Sequence, residues 1–451
     1  MRTDEEITRL VGPIDCLEAF PTVDELNAFA DALVADYPDR VSSTELGRSR
    51  GGDPIREIRV GSGEQHILVL GNPHPNEPIG MATIRHLLGR MVADDAVTVG
   101  ATWHFVLCVD PDGTRLNEGW FAGPHTRTGV ARGLYRPPAT EQPEWCFPTV
   151  WRGRSVGVPL PETEAMMALI DRTRPALIAS LHNAEFGGGF FYTTGGDPGY
   201  WTALTDRLVA ADIPVYQGEP DVSGARTLAR GVFELPLFEA MADLLTARGL
   251  DAIAALGGGG CRDYTARYDT AILVCELPLW ADGRINDSSA GDRMLGDLLD
   301  ATAVEYHAMA EAAAGVLARV AGRLSGHSPF ERSVRALTAR LPGIAVSRGS
   351  VPGRHRIATK GEIFLEQYNT AAMLRLRLGG MLLRLLEEEC RRDACPELVA
   401  ERDRFAALFD QWCADIEQNA PGTAVPLARL VGIQAESVLL AATRLRAGLA
   451  I

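Results

Sequence analysis

The stretch HILVLGNPHPNEPIGMATIRHLLGRM, residues 66–91, decides how this chain is read. HILVLG (66–71) is a short apolar run with the look of a buried strand. PIGMATIRHLLGRM (78–91) repeats apolar residues at helical spacing behind a proline in its first turn. Between them, NPHPNE (72–77) puts His74 and Glu77 in a strand-to-helix turn. Two side chains three residues apart at such an entrance can face one point, so an imidazole nitrogen and a carboxylate can hold the same ion.

The alternation of strand and helix continues outward from this segment. Strands are predicted at IREIRV (55–60), TWHFVLCV (102–109), ALIASLH (176–182) and AILVCE (271–276), and helices at 23–37 and 162–173. Residues 1–290 therefore read as one α/β domain whose uniformly apolar central strands are covered by helices on both faces. After about residue 290 long helical periods dominate, with a Gly/Pro/Ser/Arg-rich break near 342–355. Residues 291–451 are accordingly predicted to be an all-helical C-terminal domain, its Leu, Ala and Met stripes forming a core or a homo-oligomer seam. Internal repeats and low-complexity segments are absent from the sequence.

A third ligand is offered by His182, at the end of the apolar run ALIASLH. The carboxyl edge of an open α/β sheet is where ligands are usually bound. On its own, His182 equally suits a satisfied core histidine. Two histidines and one glutamate leave a fourth position open, which is the pattern of a catalytic rather than a structural zinc site. Glu276 ends AILVCE, where a carboxylate after apolar residues is costly without a partner or a function. Beside a metal-activated water it can serve as the base. The plain alternative is a strand-end glutamate paired with an arginine.

At this point residues 22–282 resemble the M14 zinc carboxypeptidases. YPDRVSSTELGRSRGGDPIREIRVG resembles the family's opening, HPNE (74–77) its HxxE zinc motif, and DPDGTRLNEGW (110–120) its NPDG segment. WRGRSVGVPLPETEAMMALI (151–170) precedes the His182 strand as the family's matching segment does, and GGGGCRDYTARYDTAILVCEL (257–277) resembles the glycine loop and strand that end in the catalytic glutamate. The resemblance implies a mixed-sheet catalytic domain and one Zn²⁺ on His74, Glu77 and His182, the His₂Glu set of carboxypeptidase A. It implies hydrolysis of a C-terminal peptide or related amide bond, with Glu276 as base and Arg115 polarising the carbonyl.

Departures from the family bear on substrate. The Asn-Arg pair that grips a terminal carboxylate reads Asn117-Glu118 here, and an anion repels a free carboxylate. Glu118 is thus expected to face an amine. The tyrosine that often precedes the glycine loop is missing. The insert-like loop 121–150 carries Arg127, Arg132 and Arg136, which either form a new carboxylate clamp or lie on a solvated surface. Arg262, near the family's specificity position, and Asn183, next to His182, complete the candidate substrate contacts. The alternatives are an amidase or deacylase acting on a modified amino acid or a biosynthetic intermediate, and a non-catalytic M14-like binding protein.

Composition narrows the classes. A hydrophobic share of 46% over 451 residues is enough for a sizeable core. A net charge of -15 argues against a nucleic-acid partner and gives no reason to expect a membrane surface. The polar start MRTDEEITRL lacks the apolar core of a secretory signal, and none of the eight cysteines forms a CxxC pair. Both features predict a cytoplasmic protein with reduced thiols, and a peptide or small amide as substrate is what the resemblance implies.

Overall fold

In the computed structural model, which describes residues 3–218, 220, 222, 224–351 and 353–451, apolar strands gather into one nine-stranded sheet. Its order is Val41–Arg48, Pro54–Val60, Thr102–Val106, His66–Leu70, Leu177–His182, Ala271–Glu276, Phe190–Thr193, Val232–Glu234 and Thr227–Ala229. The four central strands from 102–106 to 271–276 run parallel, and antiparallel neighbours flank them. The sheet is mixed, as the resemblance implies.

Side chains alternate across a strand, so each central strand feeds two cores. Ile67 and Val69 join Leu177, Ala179 and Leu181 on one face, under the helices Val23–Asp36, Ile79–Ala93 and Pro198–Ala210. Leu68, Leu70, Ile178, Ile272 and Val274 join Ala165, Met166 and Leu169 of the helix Pro161–Thr173 on the other. Ser180, His182 and Glu276 share the second face by the same parity. The first face is packed tightly: a Cβ on Gly80 would stand 2.8 Å from Leu181 Cβ, so the helix behind Glu77 rests directly on the His182 strand.

The C-terminal region is mostly helical. Leu295–Val320, Pro329–Arg348, Ala371–Arg392 and Pro396–Asn419 pack around Leu317, Leu341, Leu382 and Phe409. Three differences from the predicted organisation matter. Pro342 lies inside the helix Pro329–Arg348, so the break expected near 342–355 opens only after Arg348. Short strands also occur, Ala290–Met294 pairing with Ile357–Thr359 and Trp280–Ala281 with Thr423–Ala424. Finally, Leu427–Arg446 leaves the helical unit and joins the first core through Leu430, Val438 and Leu439. Its Gln434 donates to His182 O at 3.0 Å and accepts from Thr83 Oγ1 at 2.8 Å. Residues 291–451 are therefore not one structural unit; the last helix packs on the nine-stranded sheet. No helix among the described residues is long and apolar enough to cross a membrane. All eight cysteines are free.

A candidate metal centre at the carboxyl edge of the sheet

Where the His66–Leu70 strand ends, Asn72 takes a left-handed φ of 50° and turns the chain back toward the sheet. The turn closes with Glu77 N donating to His74 O (3.0 Å), and the helix begins two residues later at Ile79. His74 and Glu77 therefore sit in the turn before the helix. His182 arrives from the neighbouring parallel strand. Its Nδ1 lies 2.8 Å from Glu77 Oε2 and 3.1 Å from His74 Nδ1, and His74 Nδ1 lies 3.0 Å from the same oxygen. Two imidazole nitrogens and one carboxylate oxygen thus converge, all three residues buried. Glu276 pairs in register with His182, and its Oε1 lies 3.9 Å from His182 Nδ1.

The far sides of the imidazoles are also occupied. Glu144 Oε2 lies 3.1 Å from His182 Nε2 and 3.7 Å from His74 Nε2, while Trp145 Nε1 donates to His74 Nε2 at 3.2 Å. Ser180 Oγ donates to Glu144 Oε1 at 2.7 Å. Burial pulls the His74 pKa down to about 4, and the Arg136 charge acts in the same direction. Burial opposes charge on His182 too, but Glu144 outweighs it and holds that imidazole well above its ordinary range. Glu144 falls to about 2, burial being overcome by His182. Burial likewise opposes ionisation of Glu77, and His74 and Arg136 overcome it.

Three carboxylates (Glu77, Glu144 and Glu276) around one buried imidazole make the electrostatics of a cation site. The donor set of two nitrogens and one oxygen, with no thiol, suits Zn²⁺ with a position left for water. The residues present fit the metal.

The predicted substrate residues fare differently. Arg115 is pinned between Asp53 (2.7 Å) and Asp24 (2.7 Å), which corrects its expected role at the carbonyl: its fork is already filled. Asn117 is buried and saturated, donating to Gly113 O and Tyr135 O and accepting from Tyr135 N, all at 2.9 Å. It braces the loop rather than a substrate. Glu118 accepts from Val23 N at 2.8 Å and so caps a helix start, which corrects the expectation that it faces an amine. Arg262 reaches Glu234 at 3.3 Å. Asn183 Oδ1 accepts from Ile79 N (3.3 Å), and its backbone N–H points at Glu77 Oε2 (3.4 Å), so it steadies the ligand turn.

The insert-like loop divides between the two expectations: Arg127 and Arg136 turn inward and Arg132 stays exposed. Arg127 is buried, donating to Ala420 O and lying 4.1 Å over the Phe186 ring. Arg132 pairs with Asp410. Arg136 Nη1 binds Glu77 Oε1 at 2.5 Å and Asn76 Oδ1 at 3.1 Å. Sequence reasoning missed Glu144, Trp145, Ser180 and Gln434. Ser180 carries a signal, a polar residue two positions before His182 and so on its face of the strand.

A family model described as Zinc carboxypeptidase matches residues 26–197, which include His74, Glu77, Glu144 and His182 but not Glu276. Among curated proteins, Zinc carboxypeptidase A 1 of Anopheles gambiae is 26% identical over 168 residues, covering 34% of this chain and 37% of the relative. Carboxypeptidase B of Astacus astacus is 27% identical over 97 residues, covering 20% and 32%. The chain spans about a third of the length of these relatives. Among solved structures, carboxypeptidase A from Helicoverpa armigera aligns with a TM-score of 0.41 at 14% identity, over 62% of this chain and 71% of that one. A metallo-carboxypeptidase from Burkholderia cenocepacia gives 0.33 at 17%, over 57% and 60%.

Proposed function

Because the chain belongs, over residues 26–197, to the M14 family of zinc carboxypeptidases, we propose that it is a zinc-dependent hydrolase cleaving a C-terminal peptide bond or a related amide. The observation that carries this reading is the convergence of His74 Nδ1, His182 Nδ1 and Glu77 Oε2 beside Glu276. Zinc bound there would supply a Lewis acid and lower the pKa of a water toward neutrality.

The chain's own residues do the rest. Glu276 takes the proton of the attacking water and returns it to the leaving amine. Its side chain is 12% exposed at a strand end, close enough to the histidines to meet that water and dry enough to hold a proton. Glu144 and Ser180 orient the His182 ring from behind. Arg136 binds one oxygen of Glu77, fixing the carboxylate so that its other oxygen faces the histidines.

A second reading within the same chemistry, an amidase or deacylase, is favoured by the employment of Asn117, Glu118 and Arg115 elsewhere, which leaves no carboxylate grip at those positions. Glu276→Gln decides between catalysis and mere binding. The variant is expected to keep its zinc and lose about 10²–10⁴-fold in hydrolysis of whichever of a pool of peptides and N-acyl amino acids the parent cleaves. An equally active variant would remove Glu276 from the reaction.

A further inference from the structure

The two ligand histidines differ on the side turned away from Glu77. His182 Nε2 lies 3.1 Å from Glu144 Oε2, an acceptor. His74 Nε2 instead receives the indole N–H of Trp145, at 3.2 Å. An indole nitrogen can only donate, so His74 Nε2 is the acceptor and carries no hydrogen. A neutral imidazole has one N–H, which therefore stands on His74 Nδ1, where Glu77 Oε2 accepts it at 3.0 Å. Two hydrogen bonds, Trp145 behind and Glu77 in front, hold the ring in one tautomer.

That tautomer is the wrong one for a ligand. A metal on Nδ1 takes the lone pair of that nitrogen, so the ring must carry its hydrogen on Nε2 and find an acceptor for it there. The Trp145 N–H would then face another N–H. The acceptor is at hand: Glu144 Oε2 lies 3.7 Å from His74 Nε2, and the same oxygen already serves His182. Trp145 also has a way out, being half-buried between the buried Glu144 and Cys146. A Cβ on Gly260 would lie 3.7 Å from its ring, so the indole rests on the glycine loop. Its stretch of chain is tied to that loop, since Phe147 N donates to Gly259 O at 3.1 Å and Gly259 N to Phe147 O at 2.8 Å.

We propose that Trp145 gates the metal centre: its hydrogen bond to His74 Nε2 and a zinc ion on His74 Nδ1 exclude one another, so loading hands the His74 Nε2–H to Glu144 and releases the indole. The proton count closes within the ring. Nδ1 gives up its hydrogen to solvent and Nε2 gains one from solvent, so the imidazole is neutral before and after. The bonds lost are those of the ring to the Trp145 N–H and to Glu77; those formed are Nδ1 to the metal and Nε2–H to Glu144. This inference rests on the metal-centre reading of the site. It makes the strap Pro143–Trp145, with the glycine loop beside it, the part of the site that answers to metal occupancy.

Trp145→Phe keeps an aromatic ring and loses the N–H. Parent and variant, stripped by chelator and carrying isotope-labelled tryptophan, would be titrated with zinc and followed by the indole N–H resonances. The chain has seven tryptophans, and the Trp145 signal is the one absent from the variant. In the parent that signal is expected to move as zinc binds, levelling off at one zinc per chain, and its hydrogen to exchange faster with solvent. Trp145→Phe is expected to bind zinc about three- to tenfold more tightly in chelator competition, because no hydrogen bond has to break first. Zinc bound at one per chain with the Trp145 signal unmoved, or with equal affinity in the two proteins, overturns the gate and leaves the metal centre standing. No zinc uptake by either protein overturns the metal centre, and the gate with it. Should the variant fail to fold, the parent decides alone: bound zinc that moves none of the indole signals overturns the gate.

Discussion

Glu144 Oε2 lies 3.1 Å from His182 Nε2, on the side of the ring opposite the nitrogen that faces Glu77. A carboxylate there keeps the hydrogen on Nε2 and leaves the Nδ1 lone pair for a metal. Glu144→Gln removes that charge while preserving shape. Zinc affinity is expected to fall about 10–100-fold, measured by competition with a chelator of known affinity. Parental affinity in the variant would show that Glu144 merely fills space.

Asp110 supplies a pH test. It is buried, its Oδ2 has no partner, and burial, helped by the nearby Glu162, raises its pKa from 3.8 to about 7 despite the Gly113 N–H and Arg50. The folded protein therefore holds a proton that the unfolded chain releases. The associated stability is complete below 3.8 and disappears as pH rises toward about 7. Asp110→Asn keeps the acceptor for Gly113 N and escapes this loss. Relative to the parent, it is expected to gain on the order of 4 kcal/mol between about pH 4 and about pH 8, read from denaturant midpoints. A difference independent of pH would refute the assignment.

The seam between the 121–150 loop and the helical unit depends on Gly380. A Cβ there would stand 1.8 Å from Ala131 O, whereas one on Gly89 would meet nothing within 4 Å. Gly380→Ala is expected to cost about 1–3 kcal/mol by overpacking, and Gly89→Ala to gain about 0.5–1 kcal/mol from the helix backbone. Equal effects of the two substitutions on unfolding would contradict the tight fit.

What could be read from the sequence divides along physical lines. The strands of 66–71 and 271–276 announce themselves because their apolar runs, ILVL and AILVC, are unbroken, and the HxxE turn because it follows such a run with polar groups. His182 and Glu276 are legible as polar ends of apolar strands. Glu144 and Arg136 are not, because they lie in a loop without periodicity, where only tertiary contact gives a charge its meaning. The opposite error struck Arg115 and Glu118: position in a motif named them, but Asp24, Asp53 and Val23 N were already there to bind them. Leu427–Arg446 reads as one more amphipathic helix, and nothing in its period tells which core it joins.

The ligand set is tested most directly by counting zinc. Mass-spectrometric metal analysis of the purified chain is expected to give about one zinc per molecule, retained in Glu276→Gln and lost in His74→Ala, Glu77→Gln and His182→Ala. A chain that purifies without zinc and takes up none on titration, or ligand variants that still hold their zinc, would contradict a metal centre at these three residues.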